Sequence, residues 1–112
     1  MSIVAEVERD GRADMIGVGN LFSDSNRESA EFALLVADRW QGRGLGELLT
    51  DDCLRVAKTW GLKQIHAETG DRNSKMIALF TKHGFTLERC FEDRVVMASK
   101  NLVLEPAGEA QD

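Results

Sequence analysis

Val36-Ala37-Asp38-Arg39-Trp40-Gln41-Gly42-Arg43-Gly44-Leu45-Gly46 joins two unlike stretches of chain, with its three glycines at the junction. Before the junction, Ala30 to Ala37 (AEFALLVA) is nearly all apolar and is interrupted only by Glu31. Such a run predicts a strand covered on both faces. After the junction, Leu45, Leu48, Leu49, Cys53, Val56 and Trp60 recur at three-to-four spacing. That stripe predicts a helix to about Trp60, with Gly61 as its terminator. A strand that leaves its sheet, turns on glycines and enters a helix presents the helix's first amides to solvent, beside the positive end of its dipole. Glycines let a ligand approach the backbone closely. Gln41, Gly42, Arg43, Gly44, Leu45 and Gly46 therefore read as an anion cradle suited to a pyrophosphate, with Arg43 adding a charge-assisted contact.

Working outward, Ile3 to Val7 reads as a short strand and Arg9-Asp10-Gly11-Arg12 as a turn. Asp14 to Phe22 is a second strand, in which Gly17 and Gly19 predict a bulge or a close backbone approach. Ser23 to Ser29 is a polar loop. Beyond the first helix, Lys63 to Thr69 is a strand, with Ile65 and Ala67 on one face. Gly70 to Ser74 turns into a second helix that carries Met76, Ile77, Leu79 and Phe80 and stops at Gly84. Phe85 to Cys90 and Arg94 to Leu104 form a closing hairpin, and 105–112 reads as a frayed polar tail. The expected architecture is α/β: a mixed sheet of about six strands with two helices, its first three strands antiparallel and its strand-helix-strand unit a right-handed parallel crossover.

Two other phosphate loops are excluded by spacing. A Walker loop ends in Gly-Lys-Ser/Thr, whereas Gly46 is followed by Glu47. A dinucleotide fingerprint is GxGxxG, and the order here is GxGxG. The net charge of −5 speaks against a nucleic-acid partner, which calls for a basic stripe. No apolar run reaches the roughly 20 residues needed to cross a bilayer, and the first residues lack the pattern of a signal peptide. Cys53 and Cys90 show no CxxC or metal-ligand spacing, so no metal site is expected and both read as core fillers. Cytoplasm is the expected compartment. The Trp40 and Trp60 rings read as packing residues, and His83 as a cation at a helix C-terminus.

Gln41-Gly42-Arg43-Gly44-Leu45-Gly46, flanked by the apolar strand and by Leu48-Leu49, resembles the Q/R-x-x-G-x-G/A signature of the GNAT acetyltransferases. A second element, Asn73-x-x-Met76-x-x-Leu79-x-x-x-x-Gly84-Phe85, is similar to that family's later loop and helix. The resemblance runs over about residues 3 to 104, and residues 1–104 read as one GNAT-like acetyl-CoA-binding domain. It implies acetyl-CoA as co-substrate, with the pyrophosphate on residues 41–46. Main-chain groups near Leu35 and Val36 would pair with the pantetheine arm, and Asn73 would contact that arm while capping its helix. The stretch from Ala30 to Gly46 is similar to the acetyltransferase region of bacterial protein lysine acetyltransferases, where a glutamate at the place of Glu31 is the proposed general base.

The implied activity is transfer of an acetyl group from acetyl-CoA to an amine, a protein lysine among the candidates. The other reading is a CoA-binding regulatory or interaction module without turnover, and a third is a structural domain whose glycines serve only the turn. Glu31 likewise has two readings. A desolvated carboxylate in a cleft would act as base, and a glutamate on a solvated face would only make surface contacts. Two departures from the family stand out: Phe80 occupies the place of the tyrosine that many members use as acid, and the chain is shorter ahead of its glycine turn. Without the strand and helices that family members carry there, the acceptor side is open, is completed by a second copy or a fused domain, or belongs to sequence outside these residues.

Overall fold

The computed structural model describes residues 1–26 and 28–102. Six strands and two α-helices follow in the order β1 (Ser2–Arg9), β2 (Arg12–Ser23), β3 (Ser29–Val36), α1 (Leu45–Thr59), β4 (Gln64–Gly70), α2 (Ser74–Lys82), β5 (Thr86–Cys90) and β6 (Val95–Asn101). A single 3-10 turn, Asp38–Trp40, lies between β3 and α1. The expected elements are all present, with ends shifted by a residue or a few. The far end of the last expected strand, 103–104, and the expected tail, 105–112, lie outside the described residues.

The sheet order is β1-β2-β3-β4-β6-β5. β1, β2 and β3 are antiparallel neighbours, and β3 and β4 are parallel. β4 and β6 are antiparallel, as are β6 and β5. The bulge expected in the glycine-bearing strand falls at Ile16: Ala5 pairs with Gly17 and Glu6 with Met15. The glycines themselves serve close approach. A Cβ on Gly17 would stand 3.1 Å from methyl carbons of both Leu45 and Leu49, and one on Gly19 would stand 3.0 Å from Cys53 Sγ. α1 therefore lies against β2 where side chains are missing.

Both helices pack on one face of the sheet. The core there joins Leu21, Phe32, Cys53, Ala57, Ile65, Phe80 and Phe85, with the Phe80 and Phe85 rings 5.1 Å apart. Burial pushes the Cys53 thiol up to about 11, as desolvation and the adjacent Asp52 carboxylate both disfavour a thiolate. Two expectations about burial are corrected. The α1 stripe turned inward is Leu49, Thr50, Cys53 and Ala57, and Leu48 is exposed. β3 is covered on one face only: Ala30 and Phe32 are buried, while Glu31, Ala33 and Leu35 are exposed. The run of apolar residues misled because Ala33 and Leu35 face outward despite being apolar, and Leu35 is 68% exposed. No described helix is long and apolar enough to cross a membrane.

Candidate functional site

The sheet forks. β3 and β4 are in register at only three positions, Ser29 with Gln64, Ala30 with Ile65 and Glu31 with His66. Beyond Glu31 the rest of β3 pairs only with β2, while the rest of β4 pairs only with β6. Backbone groups along β3 alternate in direction. The Ala37 N–H donates to Ile16 O at 2.8 Å, and Ser29 O accepts from Asp24 N–H at 2.9 Å, so odd-numbered residues face β2. Even-numbered residues face the other way, consistent with Glu28 O accepting from Lys63 and Gln64. By that parity the main-chain groups of Leu34 and Val36 point into the fork. This corrects the expectation for Leu35, whose main chain turns toward Val18 on β2.

The glycine turn closes the mouth of the fork. The Gln41 side chain donates to Val36 O at 3.2 Å and to Asp38 Oδ1 at 3.4 Å, tying the turn to the strand end. Gly42 and Gly44 have φ of 78° and 84°, a left-handed conformation costly for any residue with a Cβ. Gly44 caps α1 without a side-chain hydrogen bond. The first intrahelical bond there is Leu48 N–H to Gly44 O at 3.1 Å, so the amides of Leu45, Gly46 and Glu47 precede the ladder. Among the expected donors Gln41 is a correction, because its N–H is already bonded to Asp38 O at 3.2 Å.

Fork, turn and the start of α2 enclose one cleft of about 520 Å³, within the ordinary range for a small-molecule site. Leu34, Leu35, Val36, Gln41, Gly42, Gly44, Gly46, Glu47, Asn73, Lys75, Met76, Ala78 and Leu79 line it. Of the residues predicted from sequence, Leu35, Val36, Gln41, Gly42, Gly44, Gly46 and Asn73 thus meet in one place. Asn73 caps α2, its Oδ1 accepting from Met76 N–H at 3.2 Å and its Nδ2 donating to Thr69 Oγ1 at 3.1 Å.

Three predicted residues stand elsewhere. The Arg43 guanidinium lies 5.0 Å from the centre of the Trp40 ring and is absent from the cleft wall. The Leu45 side chain points at Gly17 on β2, so only its amide is offered to the turn. Glu31 sits on the exposed face at the apex of the fork, which fits the solvated-face reading of this glutamate and not the desolvated one. Phe80, at the place of the family's tyrosine, is 2% exposed and belongs to the core. Sequence reasoning missed Lys75, the cation of the cleft wall; its place two residues past a helix-capping Asn was the available signal.

Two polar contacts hold α1 and α2 together beside the cleft. Lys82 Nζ donates to Glu47 Oε2 at 2.6 Å. His83 brings its Nδ1 to 2.9 Å from Leu79 O and its Nε2 to 2.9 Å from Asp51 Oδ1. The Glu47 carboxyl is held below its ordinary value, first by the Lys82 hydrogen bond and then by the charges of Lys82 and, more weakly, His83. That pairing offsets a negative charge which would otherwise face any anion at the start of α1.

A half-split mixed sheet, with a β3 edge that no described strand pairs leading to a helix N-terminus, has the shape to suit an extended ligand with an anionic head. The chain belongs to the acetyltransferase (GNAT) family, whose model matches residues 1–85. It is 27% identical over 106 residues to the Bacillus subtilis acetyltransferase YwnH, covering 94% of this chain and 65% of the relative. The GNAT domain of S. lividans PAT superposes with a TM-score of 0.72 at 29% identity, covering 89% of this chain and 60% of that one. The fold is shared with yncA of Salmonella typhimurium, solved with its cofactor acetyl-CoA, at a TM-score of 0.70 and 22% identity over 87% of this chain and 64% of that one. The chain thus spans less than two thirds of each of these proteins.

Proposed function

We propose that this domain is an acetyl-CoA-dependent N-acetyltransferase that holds its donor in the fork. The observation that carries the reading is the meeting of two main-chain surfaces in one cleft: the edge of β3 at Leu34 and Val36, on which no described strand pairs, and the amides of Leu45, Gly46 and Glu47. A pantetheine arm is itself a chain of amides, so it satisfies such an edge as a missing strand would. The diphosphate takes the helix N-terminus, where amides and dipole both favour an anion. Lys75 supplies the cation from the α2 side, and Asn73 lies along the arm. A structural neighbour of the same fold was solved with its cofactor acetyl-CoA.

The acceptor is an amine, and a protein lysine is the form we favour, since the S. lividans PAT domain is among the structural neighbours. Glu31 at the fork apex is the carboxylate that meets the incoming ammonium. The departing CoA thiolate is a tolerable leaving group near neutral pH, which makes a tyrosine at the place of Phe80 dispensable. The free thiols of Cys53 and Cys90 suit a reducing compartment, and we assign the domain to the cytoplasm. The buried Phe80 and the uncovered sheet face also favour a second reading, a CoA-binding module without turnover. Calorimetry with acetyl-CoA tests both: micromolar binding is expected, and no heat at millimolar ligand overturns both. Release of free thiol with lysine-containing peptides then supports the enzyme, and binding without release supports the module.

A further inference from the structure

We propose that His66 takes the proton given up by the acceptor ammonium, with Glu31 as the fixed counter-charge that holds the ammonium beside it. The proposal rests on the acetyl-transfer reading above. Glu31 and His66 form the last register pair before β3 and β4 part. Neighbouring strands lie about 4.8 Å apart, so the two side chains start from adjacent points. Both project from the face without helices, since Ala30, Phe32, Ile65 and Ala67 are the residues turned to the core. His66 is half-buried and Glu31 exposed.

The donor's direction follows from the cleft. With the diphosphate at the mouth, beside Gly44 and Gly46, the arm runs back along β3 toward the apex. From Val36 to Glu31 that path is about 16 Å at about 3.3 Å per residue. The thioester end therefore arrives where Glu31 and His66 stand, and an amine reaches it from the uncovered face. The charged groups on that face agree in sign. Glu31 lies opposite His66, Glu68 lies two residues along β4, and Glu88 lies on β5 beside Met97 of β6. Ser99 is the β6 residue opposite His66. By register the described residues of β2 to β6 place no Lys or Arg on this face.

Between the two apex groups the chemistry divides the work. An imidazole nitrogen can accept a proton and pass it on, whereas a carboxylate on a solvated face attracts the ammonium by charge. The ammonium passes one proton to the His66 ring, and the freed nitrogen pair attacks the thioester carbonyl. The C–N bond forms and the C–S bond breaks. The sulfur leaves with the electron pair and receives the second nitrogen proton, giving an amide and the CoA thiol. His66 returns its proton to solvent.

The test uses the whole chain with His66→Gln and His66→Ala, acetyl-CoA and an α-blocked lysine peptide. Acetyl-CoA affinity by calorimetry is expected to stay within about twofold, because no His66 atom lines the cleft. The value of kcat should fall about a hundredfold, with the peptide KM little changed. A limb of the parent's pH–rate profile should vanish in both variants, and free imidazole should restore turnover to His66→Ala. Turnover by His66→Gln within threefold of the parent, on an unchanged pH profile, overturns the proposal. Acetyl-CoA binding by the parent without turnover also overturns it, whereas no binding at all sinks the donor-site reading instead. Should His66→Ala melt early, His66→Gln alone decides through the profile.

Discussion

Gly17 and Gly19 lie on β2 beneath α1, whereas Gly42 and Gly44 lie in the turn just ahead of it. A Cβ on either β2 glycine meets α1 side chains at 3.0–3.1 Å. A Cβ on Gly42 or Gly44 meets nothing within 4 Å, yet both have left-handed φ angles. The first pair lets the helix come down onto the sheet. The second pair lets the chain enter that helix with its opening amides uncovered. One residue type thus supports packing in one region and an anion site in the other, and substitutions should separate the two.

The largest effect is expected from Gly19→Val. Its side chain must displace Cys53 Sγ and contend with Leu49, whose Cβ and carbonyl lie 3.6 and 3.7 Å from the new Cβ. Overpacking of this kind costs about 3 kcal/mol. A urea titration should show a lower midpoint with an unchanged slope, and acetyl-CoA binding should be lost only as far as the fold is lost. A folded Gly19→Val protein with parental stability would mean that α1 is not pressed on β2 as described.

Gly44→Ala should do the converse. A left-handed alanine costs about 1–2 kcal/mol, so the protein should remain folded at room temperature. Relaxing that strain re-aims the amides of Leu45, Gly46 and Glu47. Acetyl-CoA affinity should then fall by tenfold or more, about 1.4 kcal/mol, measured by calorimetry on protein shown folded by circular dichroism. Undiminished affinity would separate the glycine turn from the anion site.

The same contrast explains how much the sequence disclosed. Element order, the hairpins and the glycine turn were legible because each depends on neighbours in the chain: Gly61 after a helix, Asn73 capping the next, and Gly42, Gly44 and Gly46 between an apolar strand and an apolar stripe. Tertiary parity was not legible. The apolar run from Ala30 to Val36 does not say which side faces water, so the exposure of Glu31 and Leu35 emerged only with the register. Nor does sequence tell how far two parallel strands stay paired, which is what places His66 opposite Glu31. Gln41, Gly42, Gly44 and Gly46 of the motif converge on the cleft, while Arg43 turns onto Trp40 and the Leu45 side chain onto Gly17.

A smaller effect bears on whether the turn region is stabilised by its own charges. Glu47 stands in the first turn of α1 and pairs with Lys82 of α2 at 2.6 Å. Because its carboxyl titrates lower in the folded chain than in the unfolded one, the pairing contributes stability at neutral pH. That contribution persists above the unfolded value and disappears as pH falls through the folded one, in the acid range. Denaturant midpoints of the parent and of Glu47→Gln should therefore differ slightly at pH 7 and converge as the medium is acidified below pH 4. Salt should narrow the gap at neutral pH, since both partners are well exposed. For the ligand the sign reverses: Glu47→Gln removes a carboxylate from the rim of an anion site, so acetyl-CoA should bind slightly more tightly while the protein becomes slightly less stable. A variant that loses both together would show that the clasp between the helices shapes the cleft and does more than offset a charge.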